Sequence, residues 1–76
     1  MTGGELRSIR QELNLSMDEF ARELGYEGGA QGNRTTIKRF ETGQRPVPAP
    51  VGRLAWMLSE YGLPEWPEFV AMEDAA

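Results

Sequence analysis

The chain contains no cysteine and no histidine, and together these absences remove most of the side-chain chemistry on which enzymes and metal proteins depend. Without cysteine there is no disulfide, no thiolate zinc site and no thiol nucleophile, so stability must come from packed apolar faces alone. Without histidine there is no imidazole-assisted nucleophile, no imidazole metal ligand and no side chain that titrates near neutrality when unperturbed. Carboxylates, lysine and arginine remain, but no phosphate-cradling glycine motif accompanies them. The expectation is a binding protein and not an enzyme, with no cofactor and no metal. The chain also lacks any run approaching the ~20 apolar residues of a membrane span, and its N-terminus lacks the layout of a signal peptide. A cytoplasmic protein with no membrane partner is expected.

What is present is an ordinary globular composition in 76 residues, 39% hydrophobic and 26% charged, enough for one core and no more. The net charge of −4 argues at first against a nucleic-acid partner. Its distribution argues the other way. All eight bases lie at or before Arg53, and from Gly32 to Arg53 five bases face Glu41 alone, a local charge of +4. Residues 54–76 carry five acids and no base. A basic segment therefore sits beside an acidic tail.

Thr2 with Glu5 forms a capping-box pattern ahead of Leu6, Ile9 and Leu13, which predicts a first helix reaching toward Asn14. Ser16 with Glu19 repeats the pattern ahead of Phe20, Ala21 and Leu24, with Gly25 as a left-handed stop, which predicts a short second helix. Tyr26 to Gly32 holds three glycines and no apolar period and reads as a seven-residue loop. Asn33 is then expected to cap a third helix from Arg34 to about Thr42, with Ile37 and Phe40 inward and Gly43 as terminator. After an extended connector, Pro50 suits the first position of a fourth helix whose Val51, Leu54, Ala55, Leu58 and Tyr61 face inward.

Two short helices joined by a turn, the second basic on its outer side, meet the sequence cues for a helix-turn-helix. With Ile37 and Phe40 inward, Arg34, Thr35, Lys38, Arg39 and Thr42 fall on the outer side of the third helix. Arg34 and Arg39 are the candidates for two-pronged hydrogen bonding to guanine in a major groove. Thr35 suits a thymine methyl or a phosphate, and Lys38 either role. Gln44 and Arg45 suit phosphates, as do Ser16 and Met17 at the start of the second helix and Thr42 at the end of the third. The long loop is either a tolerated surface insertion or a segment whose Gln31 and Asn33 approach the DNA.

The run Leu6, Arg10, Leu15, Ser16, Phe20, Ala21, Leu24, Gly25, Thr36, Ile37, Arg39, Phe40, Glu41, Gly43, Arg45 and Pro48 resembles the Cro/C1-type (XRE) helix-turn-helix regulators over roughly residues 4–62. The stretch from Phe40 to Pro48 is similar to that of small phage regulators, some of them anti-CRISPR-associated autorepressors, and of antitoxins of the HigA and MqsA type. The resemblance implies an all-α, compact four- to five-helix lambda-repressor-like domain, here with an enlarged turn between helices two and three. It implies that the third helix is the recognition helix and that Arg10 pairs with Glu41 in a partly buried structural salt bridge. Glu41 as the lone acid of a basic segment, and Arg10 beside Ile9 and Leu13, agree. Family members often place glutamine directly after the serine cap of the second helix, where this chain has Met17, so that phosphate contact is lost or replaced.

The division expected is a helix-turn-helix domain over 1–62 and an acidic, aromatic extension over 63–76. Trp56 on the outer side of the fourth helix, with Trp66, Phe69 and Met72 in the tail, marks a candidate dimer interface; a tail folded back within one chain is the competing reading. The function implied is a homodimeric repressor, binding an inverted-repeat double-stranded DNA operator in its own promoter. The alternative is an antitoxin-type module whose tail grips a protein partner.

Overall fold

The structure, a computed structural model, describes residues 1–71; Met72, assigned above to the dimer interface, lies outside them. Five helices make up the fold: α1 (Gly3–Glu12), α2 (Met17–Glu23), α3 (Gly29–Glu41), α4 (Ala49–Tyr61) and the single turn α5 (Glu68–Ala71), with no strand among the described residues. α2 and α3 share the largest interhelical interface, while α1 braces both α3 and α4.

Both capping boxes form. The Thr2 and Ser16 hydroxyls accept from the backbone N–H of Glu5 and Glu19, and those glutamates accept in return from the backbone N–H of Thr2 and Ser16. α1 closes through Asn14 at φ 58, where Leu15 N–H donates to Arg10 O at 3.2 Å and Asn14 N–H to Gln11 O at 3.0 Å. α2 closes in the same way through Gly25 at φ 95, with Tyr26 N–H donating to Ala21 O at 2.9 Å. In both, a left-handed residue lets the chain reverse while the last carbonyls stay satisfied.

The core joins Leu6 of α1, Phe20, Ala21 and Leu24 at α2, Ile37 and Phe40 of α3, and Val51, Ala55 and Leu58 of α4. Ile9, Leu13 and Leu54 pack against it partly buried. Tyr61 departs from the expected inward stripe: it is 76% exposed, because it occupies the last turn of α4, beyond the core.

The seven-residue loop is also corrected. Five residues, Leu24–Gly28, separate α2 from α3 and not seven, because Gly29, Ala30, Gln31 and Gly32 form the first turn of a 13-residue α3. The physical reason lies in Asn33. It takes the core position one turn before Ile37 and is 2% exposed. A polar residue there breaks the hydrophobic period on which a sequence reading relies. Its burial is satisfied: Oδ1 accepts from Gly28 N–H at 3.1 Å and Nδ2 donates to Asp18 Oδ1 at 2.9 Å. Asn33 therefore caps α3 from inside the helix and ties it to α2, and it is not available as a phosphate contact. α4 begins one residue earlier than expected, with Pro50 second in its first turn.

The capping boxes give the fold an acid sensitivity. Backbone and hydroxyl hydrogen bonds from Thr2 and Ser16 hold the Glu5 and Glu19 carboxyls below their ordinary range. A carboxylate depressed by folding contributes stability that is complete above its unfolded value, about 4.3, and is lost as pH falls through the lower folded value. Ser16→Ala is expected to cost about 1 kcal/mol near neutrality and to flatten the decline in melting temperature below about pH 4. Thermal melts of wild type and variant between neutral and acid pH check both; parallel curves would show that the backbone N–H of residue 16 sustains the Glu19 response without the hydroxyl.

Candidate functional site

The outer face of α3 is set by what its inner face must do. Asn33, Ile37 and Phe40 are buried, so the opposite side presents Gln31, Arg34, Thr35, Lys38 and Thr42, all exposed, as one stripe along the helix. No acid lies on this stripe. Glu41, the only acid of α3, turns inward: Arg10 donates from Nε to Glu41 Oε2 at 2.7 Å and from Nη2 to Oε1 at 3.1 Å. The two side chains are 14% and 3% exposed. Arg34, Lys38, Arg39 and Arg45 make no ion pair among the described residues, and so their charges add without internal compensation.

Gln31, expected on a loop, heads this stripe one turn before Thr35. It stands between Ala30 and Gly32, so the first turn of α3 offers almost bare backbone beside a single amide. Arg39 is not at the centre of the stripe. It is half-buried and lies about a quarter turn round the helix, where it lines a shallow hollow with Tyr26, Phe40, Arg45 and Pro46. Arg45 N–H donates to Arg39 O at 3.1 Å, which folds the segment after α3 back beside the helix and brings Arg45 near its end. Thr42 donates its hydroxyl proton to Lys38 O at 2.8 Å; while that bond holds, it has no proton to offer a phosphate. Gln44 is exposed.

At the start of α2, Ser16 Oγ accepts from Glu19 N–H and keeps its own proton for donation. Met17 is partly buried against the core and offers only its backbone. Asp18 and Glu19 in the same turn make this end of α2 electrostatically poorer for phosphate than the end of α3.

The candidate dimer residues separate. Trp56 is 51% exposed and meets Tyr61 edge-on, with ring centroids 6.3 Å apart. Trp66 turns back within the chain, and its indole N–H donates to Glu23 Oε2 at 2.6 Å. Phe69 on α5 is exposed. Sequence reasoning missed two features. The Asp18–Asn33–Gly28 bridge has no short-range signature, and the exposure of Met57 and Tyr61 beside Trp56 follows from where the core ends. Comparisons of the chain with models of known families, with curated proteins and with solved structures find no match.

Proposed function

We propose that the protein is a sequence-specific DNA-binding regulator of the lambda-repressor-like helix-turn-helix class, a homodimeric repressor of its own promoter acting on an inverted-repeat operator. The observation that carries this reading is the acid-free outer stripe of α3, with its one acid drawn inward by Arg10. A helix about 10–12 Å across fits a major groove about 12 Å wide. Gln31 and Arg34 suit the amide–adenine and guanidinium–guanine pairings of that groove, with Thr35 beside a thymine methyl and Lys38 on guanine or phosphate. Arg39, at the edge, and Arg45 with Gln44 serve the flanking phosphates. The small residues around Gln31 permit close approach to the bases. The acidic, base-free segment after Arg53 opposes nonspecific binding. In a twofold dimer the two recognition helices address half-sites about 34 Å apart.

Footprinting on the DNA upstream of its own gene identifies the operator, and titrations against single-base variants assign the residues. Arg34→Ala is expected to lose about 1–3 kcal/mol of discrimination at one base pair. Arg45→Ala is expected to weaken all sequences alike and to reduce the salt slope by about 1. Affinity independent of salt, or uniform losses for both variants, would overturn the reading. The exposed Phe69 and Val70 on α5 favour an antitoxin-like second reading, which copurification with the product of an adjacent gene would support.

A further inference from the structure

The face of α4 opposite Val51, Ala55 and Leu58 is apolar at its centre and oppositely charged at its ends. Trp56 and Met57 are each 51% exposed, and Arg53 and Glu60 are exposed on either side of them. Arg53 and Glu60 are seven residues apart on one helix, about 10.5 Å along its axis and beyond the three- or four-residue spacing at which helical side chains pair. Every residue three or four positions from either one is Ala49, Pro50, Trp56, Met57, Leu63 or Pro64. Neither charge meets an opposite charge within the chain among the described residues.

We infer that α4 pairs with α4 of a second copy of this chain, antiparallel about a twofold axis between Trp56 and Met57, so that Arg53 of each copy faces Glu60 of the other. The sequence itself selects this occupant and this register. Positions 53 and 60 are equidistant from the midpoint of 56 and 57, and across a twofold axis equidistant positions meet. The pairing covers Trp56 and Met57 of both copies and satisfies both charges of each, giving two equivalent ion pairs flanking one apolar patch. Parallel pairing in register sets Arg53 against Arg53 and Glu60 against Glu60, which like-charge repulsion disfavours. Trp66, bonded to Glu23 of its own chain, lies outside this contact. The inference rests on the homodimeric reading above for the existence of a partner copy, and it specifies the surface.

Sedimentation or light scattering of the full chain without DNA tests it. Wild type is expected to be dimeric. Arg53→Glu and Glu60→Arg are each expected to weaken the dimer about a hundredfold, because each places two like-charged pairs across the axis. An equimolar mixture of the two single variants is expected to recover a heterodimer, since every facing pair is again opposite in sign; the Arg53→Glu/Glu60→Arg double variant is expected to recover a homodimer. Recovery on mixing also shows that both single variants are folded. A monomeric wild type, a dimer indifferent to the single reversals, or a mixture that stays monomeric overturns the inference. A dimer indifferent to the reversals overturns this surface and leaves the homodimeric operator reading standing, a monomeric wild type overturns the homodimer as well, and salt-independent DNA affinity of an intact dimer overturns the operator reading and leaves this one.

Discussion

Arg10→Ala is expected to cost about 3–5 kcal/mol, the range for removing one partner of a buried ion pair. For a domain of this size that approaches the whole stability, about 4–11 kcal/mol at typical values per residue. The loss comes mainly from what remains. Glu41, its side chain 3% exposed, would keep a buried carboxylate with neither of its Arg10 hydrogen bonds. Leu15 O would lose the donor that Arg10 Nη1 supplies at 3.1 Å. The guanidinium itself is secure: the hydrogen bond to Glu41 raises it above its ordinary value, outweighing burial, so no accessible pH discharges it. The melting temperature should fall by roughly 20 °C, taking about 4–8 °C per kcal/mol. Thermal melts of the single variant and of an Arg10→Met/Glu41→Leu pair distinguish the two costs. A double variant close to wild type identifies the stranded charge as the cause, and an undiminished single variant would remove the pair from the fold's supports.

The second large effect concerns a methyl group. Gly3 opens α1 where it crosses the end of α3, and a Cβ there would collide with the Phe40 carbonyl oxygen and lie 2.7 Å from Glu41 O and 2.9 Å from Glu41 C. These are backbone atoms with no rotamer to yield. Alanine would otherwise favour a helical site by up to about 1 kcal/mol, but overpacking of a close contact typically costs about 1–3 kcal/mol, and with rigid backbone on the far side the collision wins. Gly3→Ala is therefore expected to destabilise by about 2 kcal/mol. Gly32→Ala is the control. It lies within α3 with nothing near its missing Cβ and is expected to stabilise by about 0.4–1 kcal/mol. Denaturant titration of the two variants checks the contrast, and equal shifts would refute the close approach.

How far the structure was legible in the sequence depended on whether a feature announces itself locally. The capping boxes at Thr2 and Ser16, the stops at Gly25 and Gly43, and the inward Ile37 and Phe40 each follow from two or three residues at fixed spacing, and all are found. Arg10 and Glu41 lie 31 residues apart; their pairing was implied by resemblance and supported by the isolation of one acid among bases. The start of α3 was illegible because its first inward residue is Asn33, whose burial is possible only with Asp18 from another helix. A polar residue on a core stripe reads as a loop until its distant partner is known. The edge position of Arg39 depends likewise on where the chain returns after Gly43, which no helical period contains.

Arg10 has a consequence for how the molecule comes apart. One guanidinium holds the carboxylate at the end of α3 and the carbonyl at the turn after α1, while Asn33 holds the other end of α3 to α2. α3 from Asn33 to Glu41 is thus fastened at both ends to different helices, and that stretch cannot open without releasing a buried polar group. The stretch that carries Arg34, Thr35 and Lys38 is therefore the part of α3 last to come loose, whereas the exposed Gly29–Gly32 turn ahead of Asn33 opens first.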